Sequence, residues 1–210
     1  MWERLKPLPP DLENMCMNPL TRENLFSLEQ YAEKRPAFRS KVIEHKKDRR
    51  VDIGPNLSLC FEDRLTVQYQ VQEMLRIERI FEADAIQEEL DAYNPLIPDG
   101  GNLKCTAMFE FTDVAERRRR LAELTSIENH VWLQVDDLEK VYAIANEDLE
   151  RSTDEKTSAV HFMRFELTEA MKQTLAEGGT LSFGVEHDLY RYSVRLNEPT
   201  RRALLGDLIN

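Results

Sequence analysis

Phe109-Glu110-Phe111-Thr112-Asp113, followed by a polar segment ending Leu121-Ala122-Glu123, recurs as Phe165-Glu166-Leu167-Thr168-Glu169, followed by one ending Leu175-Ala176-Glu177. Val131 to Val135 and Val141 to Asn146-Glu147 likewise answer to Leu181 to Val185 and Tyr192 to Asn197-Glu198, with slips of a few residues between blocks. Apolar residues alternate in these blocks, as strands with one buried face require. Asp113 and Thr168 stand where a following helix needs an N-cap. Each copy therefore reads strand, helix, strand, strand. Strands are expected near 103–111, 130–136 and 140–145, and again near 159–167, 181–187 and 190–196. The fold class is α+β: a helical N-terminal half with a short hairpin, then two tandem β-α-β-β units forming a mixed or antiparallel sheet.

Toward the N-terminus, Asn94-Pro95-Leu96-Ile97-Pro98-Asp99-Gly100-Gly101-Asn102 is a loop. Before it, Asp63 to about Glu82 is the longest helical segment without Gly or Pro, and Ala83 to Tyr93 forms a further helix after a bend. Val51-Asp52-Ile53 and Leu57 to Phe61 alternate around Gly54-Pro55-Asn56 and read as a hairpin. Leu25, Phe26, Leu28 and Tyr31 lie at helical spacing behind Thr21 or Asn24 as caps. Pro36 is expected to break that helix and start another running to Lys47. Residues 1–20 form an extended, proline-containing leader, with Met17 a workable start. Residues 21–102 are a mainly helical region with a hairpin and 103–210 the duplicated region, the two making one compact domain. The charged segment from Glu147 to Ser158 joins the copies as a hinge or surface loop.

The chain has 210 residues, 41% of them hydrophobic and 32% charged, which suits a globular protein with a core of its own. A formal net charge of −11 makes nucleic acid and anionic membrane poor default partners. Lys34 to Arg50 is nevertheless rich in Lys and Arg, and Glu82 to Asp91 is acidic, so a basic and an acidic pole are expected unless both are simply solvated helix faces. Cys16, Cys60 and Cys105 are too few and too widely spaced for a disulfide framework, which fits a reducing cytoplasm. No apolar run reaches the length of a membrane span, and no export signal is read.

On a helical wheel, Val67, Val71, Met74, Leu75, Ile77 and Phe81 share one arc, and Gln68, Tyr69, Gln72, Glu73, Arg76 and Arg79 the other. Glu78 falls inside the apolar arc. A carboxylate there is either a functional acid with a raised pKa or half of a structural ion pair. Glu73 is the second candidate acid or base. Tyr69, Gln72, Arg76 and Arg79 make a stripe suited to gripping a carboxylate or phosphate ligand, to meeting another element, or to facing water. His45, His130, His161 and His187 form no paired metal signature. His161 shares a strand face with Met163, Phe165 and Leu167, and the repeat puts Cys105 in the equivalent place; the two are the ligands to examine for a metal, against the plainer reading of core residues. Arg117 to Arg120 point in every direction of a helix, and neither a phosphate loop nor a nucleophile triad is evident. No cofactor or metal is expected.

Four stretches, Ser27-Leu28-Glu29-Gln30-Tyr31-Ala32, Tyr69 to Glu82 (YQVQEMLRIERIFE), Glu89 to Gly100 (ELDAYNPLIPDG) and Ser158 to Leu167 (SAVHFMRFEL), resemble a bacterial family known only as a domain of unknown function. The resemblance covers nearly everything from Met17 onward and transfers no catalytic residue. Members are often encoded beside a rubrerythrin-like protein and an iron–sulfur oxidoreductase, which implies a redox setting. Two functions follow as expectations: an accessory or binding protein with a redox partner, or a metal-dependent enzyme with a site between the two repeats.

Overall fold

The structure, a computed structural model, describes residues 18–145, 147 and 156–208. Residues 1–17 of the expected leader, with the start at Met17, and most of the segment joining the repeats lie outside the described residues; Leu20, the leader's last residue, is buried.

Helix α1 (Leu28–Lys47) begins at a reciprocal cap in which the Ser27 and Gln30 side chains each accept the other's backbone N–H. It runs through Pro36 without ending, contrary to the sequence expectation. Pro36 and Ala32 are both exposed, so the carbonyl left without its helical donor lies on the solvent side, while Tyr31 and Val42 anchor the helix on either side of it. The hairpin β1 (Arg50–Ile53) and β2 (Leu57–Phe61) turns at Gly54, whose φ of 67° is a conformation glycine adopts freely. Helix α2 (Arg64–Glu78) is capped by Asp63, which accepts from the Thr66 N–H at 2.9 Å. It stops before Glu82 because Arg79 turns left-handed at φ 56°. Helix α3 (Ala83–Tyr93) and a 3₁₀ turn (Asn94–Leu96) follow.

The duplicated half contains β3 (Asn102–Phe109), α4 (Val114–Glu123), β4 (Val131–Val135), β5 (Val141–Tyr142) and β6 (Ile144–Ala145). The second copy supplies β7 (Val160–Glu166), α5 (Glu169–Ala176), β8 (Leu181–His187) and β9 (Tyr190–Arg195), and α6 (Glu198–Leu205) ends the chain's described elements. Every expected strand and both helices are present, with one difference: the third strand of the first copy splits into β5 and β6, which join different sheets. Sheet A runs β1-β2-β3-β7-β6 and sheet B β5-β4-β8-β9, with every neighbour antiparallel.

The repeat explains this topology. Phe109 and Phe165 are equivalent, so Thr106 and Phe162 are too, and these two sit directly opposite each other on β3 and β7. Leu133 and Phe183, equivalent in the second strands, likewise face each other on β4 and β8. A pseudo-twofold axis therefore passes between β3 and β7 in sheet A and between β4 and β8 in sheet B. The inward residues of sheet A, among them Leu103, Cys105, Met163 and Phe165, meet Val131, Leu133, Leu181 and Phe183 of sheet B. Phe183 sits at the centre, its ring 5.1 Å from Phe61 and 5.4 Å from Phe165. The β1–β2 hairpin belongs to this core. The Tyr190 hydroxyl ties the sheet edges together, donating to the Ile53 carbonyl at 2.6 Å and accepting from the Leu57 N–H at 3.1 Å. A second apolar cluster, with Leu20, Val67, Val71, Leu75, Leu90 and Ile97, holds α2 and α3 together. No helix among the described residues is long and apolar enough to cross a membrane.

Arg49, 2% exposed, joins the helices to the sheets. Its guanidinium donates to the carbonyls of Phe61 (3.2 Å), Glu62 (3.0 Å) and Ala203 (3.3 Å), and it pairs with Asp207 and, at 3.5 Å, with Asp63. His45 Nε2 lies 2.5 Å from Asp63. Burial pushes the Asp63 carboxyl up, but the hydrogen bond from His45 and the charge of Arg49 outweigh it and bring it down to about 2. Arg49→Leu strands three carbonyls and two carboxylates, and is expected to cost about 3–5 kcal/mol, measurable as a lowered urea midpoint. On the outer face of sheet B, the Trp132 indole lies against Gly184, where an added Cβ would clash with a ring carbon. Gly184→Ala is accordingly expected to lower stability by about 1–3 kcal/mol, with near-ultraviolet circular dichroism reporting the displaced indole.

Candidate functional site

The end of α3 and its 3₁₀ turn lie over the outer face of sheet A, leaving a cleft of about 550 Å³ lined by Tyr93, Pro95, Leu96, Ile144, Phe162 and Met163 with Lys104, Arg164 and Glu147. Strand alternation explains its charge. Cys105 and Met163 point inward, so Lys104 and Arg164 point outward, and the register sets them directly opposite each other on β3 and β7. Lys104 Nζ donates to the carbonyls of Pro95 (2.8 Å) and Ile97 (2.9 Å), fixing the turn over the sheet. Burial lowers the pKa of this ammonium. Arg164 donates through Nε and Nη2 to the two oxygens of Glu147 at 2.8 and 2.7 Å, and through Nη1 to Glu166. Glu166 also accepts from Asn102, which reaches Asp99 at 2.9 Å. The cleft thus presents cations and their partner carboxylates beside apolar walls, a combination that binds small molecules.

The stripe on α2 is occupied within the chain. Gln72, expected on the polar arc, is buried and clamps the backbone of Phe26, accepting its N–H at 2.6 Å and donating to its carbonyl at 3.3 Å. Tyr69 packs against Phe38, with ring centroids 6.0 Å apart. Glu73 accepts from Arg35 at 2.7 and 2.9 Å, from the Tyr31 hydroxyl at 2.7 Å and from Arg76 at 3.2 Å. Arg79 is exposed at the left-handed helix end. Glu78 is exposed, which reverses the expected burial, and Ile77 and Phe81 are exposed with it. The wheel failed because α2 is flanked on two sides. Val67, Val71 and Leu75 meet α3, the supposed polar arc meets α1 and the segment before it, and the helix ends before Phe81.

His161 and Cys105 are both buried on the inner face of sheet A, as expected, but they stand two residue pairs apart in the register: Cys105 opposite Met163, His161 opposite Ala107. Burial pushes the Cys105 thiol well above its usual range. His161 Nε2 is 2.9 Å from Thr157 Oγ1 and 3.0 Å from the Ser158 carbonyl oxygen, and Thr157 donates to the buried Glu128 at 3.0 Å. Among the described residues no group of three or more His, Cys, Asp or Glu is placed to hold a metal ion. Sequence reasoning missed Lys104, Arg164, Glu128 and Thr157. The first two were signalled only by a basic residue at an outward position in each first strand, and finding them needed the antiparallel register.

The fold and cleft define an α+β protein of two antiparallel sheets built on a duplicated unit, with helices over one sheet. The chain belongs to the family described as a protein of unknown function (DUF3501), which it matches over residues 19–208. It is also similar to a solved protein of unknown function from Burkholderia pseudomallei K96243, at 53% identity and a TM-score of 0.86, over 91% of this chain and 100% of that one. No curated protein matches it.

The hydrogen bonds from Arg35 hold Glu73 down at about 2 against the effect of burial, with Tyr31 and Arg76 adding to the shift. Because its folded pKa is depressed, the stabilisation from Glu73 is full above its unfolded pKa, near 4.5, and is lost as pH falls through about 2. Glu73→Gln is expected to cost about 1–3 kcal/mol at pH 7. Urea titrations of both proteins from pH 7 downward should show that gap closing below pH 4.5.

Proposed function

We propose that this protein is a cytoplasmic binding or accessory protein that acts with a redox partner and is not itself a catalyst. The observation that supports this reading is the engagement of its candidate acids. Glu73 is locked by three donors, and Glu78 faces solvent at a helix end. The cleft offers two cations and partner carboxylates beside apolar walls, an equipment for holding a molecule. The redox partner, of the rubrerythrin or iron–sulfur kind, comes from the family resemblance.

Purification from the native cell at low salt tests the proposal. A protein carrying iron, identified by its visible absorption, is expected to accompany the chain and to be shed as salt rises, because exposed charges are screened within about 10 Å at 0.1 M. The separated chain should show no hydrolase or oxidoreductase turnover. A chain that binds no redox protein yet holds stoichiometric metal, lost in His161→Ala, would instead favour the metal-dependent enzyme.

A further inference from the structure

Lys104 and Arg164 form a cross-strand pair of like charge, an arrangement that destabilises a sheet unless an anion lies between them. Their surroundings only partly supply one. Lys104 uses two of its three N–H groups on backbone carbonyls, and among the described residues no carboxylate lies within ion-pair distance of it, although Asp99 and Glu147 act on its charge from farther off. Arg164 pairs with Glu166 through Nη1 and is gripped by Glu147 in the two-point geometry that a guanidinium fork offers to any carboxylate. Glu147 itself has 53% of its side chain exposed. The rest of the cleft is apolar, formed by Tyr93, Leu96, Ile144 and Phe162, and its volume of about 550 Å³ falls within the usual range for small-molecule sites.

The geometry points to a binding site for a small amphipathic monocarboxylate, aliphatic or aromatic, whose carboxylate bridges Lys104 and Arg164 where the Glu147 carboxylate now reaches and whose tail lies on Phe162, Leu96, Tyr93 and Ile144. Glu147 is then a built-in competitor for the fork. Glu147 already acts on the charge of Lys104 from beyond ion-pair distance; a ligand that displaces it brings a carboxylate within direct reach of the third Lys104 N–H and covers apolar surface, which Glu147 does not. An amine of the same tail meets two like charges, and an alcohol gains only the tail contacts. This inference deepens the binding-protein reading and rests on it.

The test titrates the full chain with 4-phenylbutyrate and octanoate, and with 4-phenylbutylamine and octanol as controls, by calorimetry and thermal shift. Both carboxylates should bind and raise the melting temperature, and the amine and alcohol should not. Glu147→Gln should tighten carboxylate binding about threefold or more, and Arg164→Met should weaken it about tenfold or more, as expected for gain and loss of a charge-assisted contact. Should Arg164→Met fail to fold, Glu147→Gln decides alone. Octanol binding as well as octanoate, or an affinity unchanged by Glu147→Gln, would overturn the site. A redox protein co-purifying with a chain that binds neither carboxylate would remove this inference and leave the accessory reading standing. A carboxylate that binds but is recovered chemically altered would keep the site and overturn the non-catalytic reading.

Discussion

A guanidinium that cannot leave the protein interior organises this molecule. Arg49 sits between the end of α1 and the start of β1, with its donors directed at the β2–α2 junction and at the turn after α6. A buried charge must find partners or destabilise the fold. Here the partners come from segments up to 158 residues apart, so the network forms only when helices, hairpin and C-terminal turn are all in place. An apolar side chain of similar size could fill the space, but it would not specify which carbonyls converge there. Lys104 makes a second attachment, drawing the 3₁₀ turn of Asn94–Leu96 onto sheet A. Held at both places, the helical layer leaves an opening over the outer face of the sheet instead of closing on it.

What the sequence discloses depends on whether a residue's role is local. Alternation in Leu103, Cys105, Ala107 and Phe109, and in His161, Met163 and Phe165, marks the strands and their buried face, because one side chain in two points inward whatever the neighbours do. Caps such as Asp113 and Thr168 are equally local, and both accept the expected backbone N–H. Helix faces are less legible. A wheel assumes one apolar neighbour and one solvent side, whereas α2 has α1 and α3 against it. Polar residues such as Gln72 and Glu73 then become buried connectors, and Ile77 near the helix end becomes exposed.

The cleft was the least legible part. Neither Lys104 nor Arg164 is unusual in its own strand, and only the pairing of β3 with β7 places them face to face. That pairing links residues about 60 apart and is fixed by the duplication as a whole. Pro36 teaches a related lesson. Its local preference to end a helix yields to the packing of Tyr31 and Val42, because its ring faces water, where an unpaired carbonyl costs little.

The pseudo-twofold axis has a consequence for how the chain comes off the ribosome. Each central strand pair joins one copy of the repeat to the other, so the first copy cannot complete a sheet by itself. As β3 and β4 emerge, each has an edge whose partner, β7 or β8, has not yet been made. For the time needed to synthesise the second copy, the nascent chain carries unpaired strand edges and half of an apolar core. This interval is when the protein is most exposed to mispairing with a neighbouring chain, and it closes only when Val160 to Glu166 and then Leu181 to His187 arrive to occupy the places across the axis.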